Sequence, residues 1–144
     1  MSKLTDLVHT HYDAINANEL DRALGGFDEN VVTETPNGTL HGVAAFRAMG
    51  EAFQAAAPDQ KMTIRQIYEA GRSVIVEGDY AGTHTGPLTG PQGAIPPTGR
   101  TFSFPFADVF TLDNGNVVRH AIYWDNANFM AQLGLTGTPQ PAAV

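Results

Sequence analysis

Apolar and polar residues alternate along two stretches near the carboxyl end of the chain, which is the pattern of β-strands. In residues 101–110 one face carries Phe102, Phe104, Phe106, Asp108 and Phe110. In residues 117–124 one face carries Val118, His120, Ile122 and Trp124. The turn-forming sequence Asp-Asn-Gly-Asn at 113–116 separates the two stretches. The pattern therefore predicts a β-hairpin whose aromatic face contains a single carboxylate.

The turn decides which residues of this hairpin lie opposite each other. We expect a three-residue loop, a type I turn closed by Gly115 in a left-handed bulge position, which would pair Leu112 with Asn116. Counting back along the strands then places Asp108 opposite His120, as an Asp–His pair within an aromatic surface. A two-residue loop would shift the register by one residue and move the side chains of one strand to the opposite face of the sheet relative to the other strand. The Asp108–His120 pair therefore depends on the turn type.

Helical spacing of apolar residues comes mainly in the first half of the chain. It predicts helices from Lys3 to about Ala17, from a cap at Asn18, from Val43 to about Ala57, and after Asp125. Strand patterns cover Val31–Thr35, Thr39–His41, Lys61–Glu69 and Ser73–Thr85. Helices early and long strands late indicate an α+β fold. We expect a curved antiparallel sheet, wrapped by the N-terminal helices around a central cone-shaped cavity, with bends at Gly78 and Gly82.

A run rich in glycine and proline, residues 86–99, precedes the hairpin. Its composition argues against a helix or the interior of a strand. Long connections in compact domains are often functional lids, so we interpret the run as a lid over the mouth of the cavity, with a plain connector as the alternative. We expect one domain over residues 1–135 and a loose tail over residues 136–144.

Composition and charge narrow the possible partners. The chain has 144 residues, enough for one domain with a core and a pocket. Its formal net charge of −7 argues against nucleic acid and against an anionic membrane, because both require a basic surface. The absence of cysteine excludes disulfides, thiolate nucleophiles and zinc–sulfur sites. With no leader sequence and no long apolar run, the expected location is the cytoplasm.

The order of elements resembles the nuclear transport factor 2-like fold, and four short strings resemble the SnoaL-like polyketide cyclase family within it. The strings are Gly82-Thr83-His84, Pro97-Thr98-Gly99-Arg100, the turn at 113–116, and Asp125 followed by Gln132-Leu133-Gly134. The resemblance covers nearly the whole chain. It implies a pocket for a small hydrophobic molecule, a homodimer, and no metal or organic cofactor.

The resemblance also bears on the catalytic residue. Characterised cyclases of the family carry an acid/base aspartate on the last strand, where alignment on Gln132-Leu133-Gly134 places Ile122. Isoleucine cannot transfer a proton, so this role does not carry over. Asp108 occupies a position where those cyclases have a pocket histidine, which implies that the polar groups are rearranged.

Asp108 and His120 are the candidate catalytic residues. A carboxylate among phenyl rings is costly to ionise, and burial shifts the pKa of a carboxyl group toward the range of a general acid or base. His120 would shuttle the proton, with Asp108 fixing its tautomer. The structural alternatives are that Asp108 is satisfied by a hydrogen bond or faces outward, and that His120 is a buried structural histidine.

The candidate substrate-binding residues are those expected to face the cavity. They are Tyr12, Tyr80, His84, Phe102, Phe104, Phe106, Ile122 and Trp124. Core packing is the alternative for the tyrosines and the tryptophan, and a role at the base of the lid is the alternative for His84. We interpret Asp125 as the N-cap of the last helix and Arg100 as an anchor. The five histidines show no metal-ligand spacing, and no Gly-x-Ser-x-Gly motif is present.

These observations favour a cofactor-free enzyme, a polyketide cyclase-like isomerase or lyase. It would perform acid/base chemistry (cyclisation, isomerisation or dehydration) on a hydrophobic oxygenated substrate such as a polyketide or terpenoid. A non-catalytic ligand-binding or dimerisation module of the same fold is the alternative, and Ile122 favours it. An epoxide hydrolase, which in this fold needs an Asp-Arg-Asp set, ranks lower because only Arg100 and Arg119 lie near the right strands.

Overall fold

The computed structural model describes residues 2–90 and 93–135. Within these residues the helices are α1 (Lys3–Asn16), α2 (Leu20–Ala23), α3 (Val43–Ala56) and α4 (Asn126–Gln132). The strands are β1 (Phe27–Thr35), β2 (Gly38–His41), β3 (Lys61–Ala70), β4 (Ser73–Thr83), β5 (Leu88–Gly90), β6 (Gly93–Ile95), β7 (Thr101–Asp113) and β8 (Asn116–Trp124). The predicted loose tail at 136–144 lies outside the described residues, as do residues 91 and 92 of the glycine- and proline-rich run.

Six strands form one sheet in the order β2-β1-β8-β7-β4-β3. Neighbouring strands are antiparallel except β1 and β8, which run parallel. The expected α+β fold is confirmed, and the expectation of a wholly antiparallel sheet fails at this one pair. Because β1 and β8 come from opposite ends of the chain, no hairpin fixes their relative direction.

The β7–β8 hairpin has a tighter turn than we expect from the sequence. Asn114 and Gly115 have φ values of 51° and 82°, which gives a two-residue turn of type I′. Asp113 therefore pairs with Asn116, and the predicted pairing of Leu112 with Asn116 is wrong.

A β-bulge then returns the side chains beyond the turn to the side of the sheet that the sequence predicts. At the bulge β8 contributes one extra residue, Val118, so the register shifts a second time. Two shifts of one residue leave Asp108 and His120 on the same side of the sheet. The predicted direct opposition of this pair is wrong, because Asp108 lies opposite Ile122 and His120 lies opposite Phe110. Asp108 and His120 are diagonal neighbours.

Two further expectations differ from the structure. Glu19, not Asn18, is the N-cap residue of α2, and the Asn18 side chain instead donates to the carbonyl oxygen of Pro58 at 3.1 Å. The run at 86–99 contains β5 and β6, which pair antiparallel as a small separate sheet. The expectation that the composition of this run argues against the interior of a strand is wrong, because two strands of only three residues each fit between its prolines.

Helices α1 and α3 pack on one face of the six-stranded sheet and close the core. The alternating side chains of β7 from Phe102 to Leu112 are buried on this face. At Gly78 the backbone passes so close to β3 that a Cβ atom would lie 2.3 Å from the carbonyl oxygen of Thr63, so this position requires glycine. The bends at Gly78 and Gly82 stay predictions. None of the helices within residues 2–90 and 93–135 is long and apolar enough to cross a membrane.

Candidate active site

A cavity of about 90 Å³ lies between the helices and the inner face of the sheet. The predicted site residues that line it are Tyr80, Phe104, Phe106, Asp108, His120, Ile122 and Trp124. The other lining residues are His11, Ile15, Phe46, Met49, Gly50, Phe53, Gln60 and Met62. Both catalytic candidates therefore line the same cavity.

Asp108 lies in the middle of β7, with 2% of its surface exposed. Its Oδ2 atom accepts a hydrogen bond from the hydroxyl group of Tyr12 on α1. Its Oδ1 atom is buried and has no hydrogen-bond partner among the residues that the structure describes. The carboxylate is thus held at one oxygen and leaves the other oxygen for a ligand.

The phenol group of Tyr12 acts only as a hydrogen-bond donor in this arrangement. Burial and the neighbouring Asp108 carboxylate raise the pKa of Tyr12 well above its ordinary value. The phenol therefore keeps its proton at neutral pH, and it fixes the orientation of the Asp108 side chain.

His120 lies on the neighbouring strand and is 1% exposed. Its Nε2 atom is 3.6 Å from Asp108 Oδ2, which suits an ion pair with a protonated imidazole but is too long for a hydrogen bond. The ring stacks on Phe110 with a centroid distance of 4.3 Å and meets Phe46 edge-on at 5.1 Å. Within the described part of the chain neither ring nitrogen has a hydrogen-bond partner. Aromatic packing fixes the ring while its nitrogens remain available.

His11 is a third polar residue of the site, and it is not among the residues predicted from the sequence. Its Nδ1 atom lies 2.8 Å from the carbonyl oxygen of Ala23, so this nitrogen carries the proton and donates it. Burial, reinforced by His120, lowers the pKa of His11 to about 4. The imidazole is therefore neutral at pH 7, and its Nε2 atom offers a lone pair.

Two imidazoles and one carboxylate meet at the same end of the cavity. The ring centroids of His11 and His120 are 5.9 Å apart. His120 in turn lies beside Asp108. A carboxylate oxygen without a partner can take a proton from a ligand, and an N–H group of the His120 imidazole can stabilise negative charge that develops on a carbonyl oxygen.

At the other end of the cavity the polar groups already have partners. The hydroxyl group of Tyr80 donates to Gln60 at 2.8 Å, and the indole N–H of Trp124 donates to Asn126 at 3.1 Å. Phe104, which belongs to this end, is four residues and about 13 Å along β7 from Asp108. The surrounding side chains are apolar, namely Met49, Phe53 and Met62. The cavity is therefore polar at one end and apolar at the other.

Three predicted substrate-binding residues lie outside the lining. Tyr12 contacts Asp108, as described above. Phe102 packs against Tyr80 and Phe129, with ring centroids 5.4 Å and 5.0 Å away. The Nδ1 atom of His84 accepts a hydrogen bond from the backbone N–H of Thr98 at 3.2 Å. His84 therefore joins the two ends of the run at 86–99. This agrees with the alternative interpretation of His84, a structural role at the base of that run.

The described part of that run contributes no residue to the lining of the cavity. It packs on the end of α3, where the backbone N–H groups of Thr85 and Gly86 both donate to the carbonyl oxygen of Ala56 at 3.0 Å. The interpretation of the run as a lid stays a prediction.

The remaining candidates also lie away from the cavity. Asp125 caps α4 by accepting a hydrogen bond from the backbone N–H of Asn128 at 3.0 Å, as predicted. Arg119 forms an ion pair with Glu34 at 3.0 Å. Arg100 passes next to Gly134. Because neither arginine lines the cavity, the structure does not assemble the Asp-Arg-Asp set that an epoxide hydrolase requires.

One signal could have identified His11 from the sequence. It lies three residues after Val8 and four before Ile15, so it shares the apolar face of α1. The apolar lining residues of the helices carry no comparable signal, because the same spacing describes a helix that packs without a cavity. Across residues 2–90 and 93–135, no group of three or more histidine and carboxylate side chains is arranged to hold a metal ion.

Solved structures share this architecture over nearly their whole length. IdmH, a candidate polyketide cyclase from Streptomyces antibioticus, is 25% identical with a TM-score of 0.77, and the alignment covers 92% of this chain and 99% of IdmH. A candidate SnoaL-like polyketide cyclase from Jannaschia sp. CCS1 is 18% identical with a TM-score of 0.81 and coverage of 96% and 94%. AclR, a candidate hydroxylase from Streptomyces galilaeus, is 19% identical with a TM-score of 0.79 and coverage of 93% and 97%.

Sequence comparison identifies the family. No curated protein sequence matches the chain significantly. The profile of the family described as SnoaL-like polyketide cyclase matches residues 5–133, which confirms the resemblance seen in the short sequence strings. With most of its length matched, the chain belongs to the SnoaL-like polyketide cyclase family.

Proposed function

We propose that this protein is a cofactor-free enzyme of the polyketide cyclase type that moves protons on a small, hydrophobic, oxygenated molecule. The reaction class is cyclisation, isomerisation or dehydration. One observation carries the proposal: Asp108 faces an apolar cavity with one carboxylate oxygen held by Tyr12 and the other without a partner among the described residues.

In this proposal Asp108 Oδ1 takes a proton from a carbon atom next to a carbonyl group of the substrate. The electron pair of the C–H bond moves toward the carbonyl oxygen, and an N–H group of His120 donates a hydrogen bond to that oxygen. Asp108 then returns the proton to another carbon in an isomerisation. In a cyclisation the enolate attacks a second carbonyl carbon, and the alkoxide oxygen formed there takes the proton back from Asp108. Tyr12 is a positioning residue, because it acts through Asp108.

The burial of these groups supports this chemistry. Asp108 and His120 are almost inaccessible to water, and electrostatic interactions are stronger where water is excluded. The apolar side chains at the other end of the cavity would bind the hydrocarbon part of the substrate. The proposed partner is therefore a small hydrophobic molecule, whereas the homodimer and the cytoplasmic location stay predictions.

A simple carbonyl compound tests the proposal. The β,γ-unsaturated isomer of cyclohexenone converts to the conjugated enone when a base moves one proton, and absorbance spectroscopy follows the product. We expect the wild-type protein to accelerate the conversion, and Asp108→Asn to slow it by about 100-fold or more, the usual range for a general base. Asp79→Asn is the matched control, since Asp79 is half-buried outside the cavity and is paired with Arg65 at 2.9 Å. Equal rates in wild type and Asp108→Asn would refute the role of Asp108.

A ligand-binding module without catalysis is the second candidate. Ile122 favours it, because an apolar side chain faces the cavity at the position of the family's acid/base residue. This candidate predicts that small ligands bind, that no proton transfer is accelerated, and that Asp108→Asn changes affinity alone.

A further inference from the structure

His11 lines the cavity, but the proposed proton transfer gives this residue no role. We infer that His11 is a substrate-binding residue whose Nε2 atom accepts a hydrogen bond from a hydroxyl group of the substrate, close to the carbonyl group that reacts. The inference deepens the proposed function, because it adds a second polar group to the substrate, and it rests on that function for the identity of the site.

The hydrogen bond to Ala23 decides what the His11 ring can offer a ligand. The Nδ1 atom lies 2.8 Å from the carbonyl oxygen of Ala23, and a carbonyl oxygen can only accept. Nδ1 therefore carries a proton, and in a neutral imidazole the other nitrogen is then an acceptor. Burial keeps the ring neutral at pH 7, since it lowers the pKa of His11 to about 4. The Nε2 atom consequently presents a lone pair and cannot act as a donor.

The Nε2 atom of His11 has no partner among the described residues, where the bond to Ala23 is the only hydrogen bond of this side chain. The rings of Tyr12, Phe27 and Phe110 pack around the imidazole at centroid distances of 5.3 Å, 5.1 Å and 5.5 Å and hold its orientation. A buried acceptor without a partner costs free energy, and a donor on a ligand removes that cost.

The neighbouring His120 limits how far the hydroxyl group can lie from the reacting carbonyl group. The ring centroids of His11 and His120 are 5.9 Å apart. An oxygen atom that is hydrogen-bonded to a ring nitrogen lies about 4 Å from the centroid of that ring. The two imidazoles can therefore hold two oxygens of a single three-carbon unit. This holds for the neutral and the protonated form of His120, because each form keeps at least one N–H group for the carbonyl oxygen.

The ligand class is thus a carbonyl compound with a hydroxyl group on the β-carbon. A ketone without a hydroxyl group leaves the Nε2 atom of His11 unpaired. A methyl ether at the same carbon brings only lone pairs toward another lone pair. A hydroxyl group further along the molecule does not reach His11 while the carbonyl oxygen stays at His120.

Two isomers of hydroxycyclohexanone test this class, because they have the same size and the same polar groups. The β isomer, 3-hydroxycyclohexanone, carries its hydroxyl group on the β-carbon, and the γ isomer, 4-hydroxycyclohexanone, carries it one carbon further away. NMR titration of the wild-type protein, with spectra recorded directly after mixing, measures both Kd values. We expect the β isomer to bind with a Kd about fivefold lower, the factor that one neutral hydrogen bond contributes.

The nitrogen resonance of His11 Nε2 in isotope-labelled protein gives a direct signature of the contact. Accepting a hydrogen bond moves this resonance toward the range of a protonated nitrogen, whereas a histidine with a purely structural role keeps its resonance. We expect the shift with the β isomer and not with cyclohexanone. Equal Kd values for the two isomers, an unmoved resonance in the complex with the β isomer, or no binding of either isomer overturns the inference.

A matched pair of variants locates the preference. His11→Asn keeps an amide N–H close to the position of Nδ1, where it can still donate to Ala23, and removes the Nε2 acceptor. The two Kd values should then become equal. His9→Asn is the control, since His9 belongs to the same helix and does not line the cavity, and it should leave the ratio of the Kd values unchanged. A preference for the β isomer that persists in His11→Asn contradicts the inference.

The failures of the two proposals are distinguishable. Tighter binding of the β isomer that depends on His11, together with no acceleration of the enone isomerisation, supports the role of His11 and removes the enzyme. Isomerisation that depends on Asp108, together with equal Kd values for the two isomers, supports the enzyme and overturns the role of His11.

Discussion

Replacing Tyr12 by phenylalanine removes the hydroxyl group that orients the Asp108 carboxylate. The substitution keeps the buried ring and deletes one hydrogen-bond donor. Tyr80 provides a matched control, because its ring is also buried but its hydroxyl group donates to the neutral amide of Gln60. The two Tyr→Phe substitutions differ mainly in the charge of the acceptor that loses its partner.

The expected magnitudes follow from that difference. A neutral hydrogen bond contributes about 1 kcal/mol to stability, and one to a charged group contributes about 1.5–3 kcal/mol. Tyr80→Phe should therefore lower the free energy of unfolding by about 1 kcal/mol. Tyr12→Phe should lower it by about 2–3 kcal/mol, because it leaves a buried charge without a hydrogen bond. For a urea m-value of about 2 kcal/mol/M, the urea concentration at the midpoint of unfolding should fall by about 0.5 M for Tyr80→Phe and by about 1–1.5 M for Tyr12→Phe.

Urea unfolding at pH 7, followed by circular dichroism, measures both variants under the same conditions. A double-mutant cycle with Asp108→Asn adds a second check, because Tyr12→Phe should then cost no more than Tyr80→Phe does in the wild-type background. Equal decreases in the free energy of unfolding for Tyr12→Phe and Tyr80→Phe would refute the view that Tyr12 donates its hydrogen bond to a charged carboxylate.

Three further substitutions test other parts of the structure. The pKa of His11 is about 4 in the folded protein and 6.5 in the unfolded chain, so between these pH values the unfolded chain binds more protons. The free energy of unfolding should therefore fall by about 3 kcal/mol as the pH is lowered from 6.5 to 4. His11→Phe should abolish this part of the pH dependence, as measured by urea unfolding. Gly78→Ala places a Cβ atom 2.3 Å from the carbonyl oxygen of Thr63 and should lower the free energy of unfolding by about 1–3 kcal/mol. Thermal unfolding measures this loss, and an unchanged Tm would contradict the close approach of the two strands. Asp125→Ala removes the N-cap of α4 and should cost about 1 kcal/mol, which Asp125→Asn should largely avoid.

The inner face of β7 was predictable from the sequence. Its apolar alternation is strict, and burial follows it from Phe102 to Leu112. The register of the hairpin was not predictable, because the bulge at Val118 leaves no distinct sequence signal. The bulge also explains why Asp108 and His120 share a face although the predicted turn and the predicted direct pairing are wrong.

The helical side of the site depends on tertiary packing that local patterns do not describe. The hydrogen bond between Tyr12 and Asp108 joins residues 96 positions apart in the chain, and it forms only when α1 docks on β7. The same docking places His11 beside His120. The sequence named Tyr12 as a cavity wall because it is a buried aromatic residue with a polar group, but its partner could not be derived from spacing.

The central claim is that Asp108 Oδ1 meets the reacting atoms of a small ligand inside this cavity. A crystal structure with the conjugated enone product bound tests it most directly. The account predicts that the carbon atoms that exchange the proton lie about 3–3.5 Å from Asp108 Oδ1, the distance of a reactive arrangement, and that the ligand oxygen faces His120. A ligand bound with its oxygen toward Trp124, or bound outside the cavity, would contradict the account.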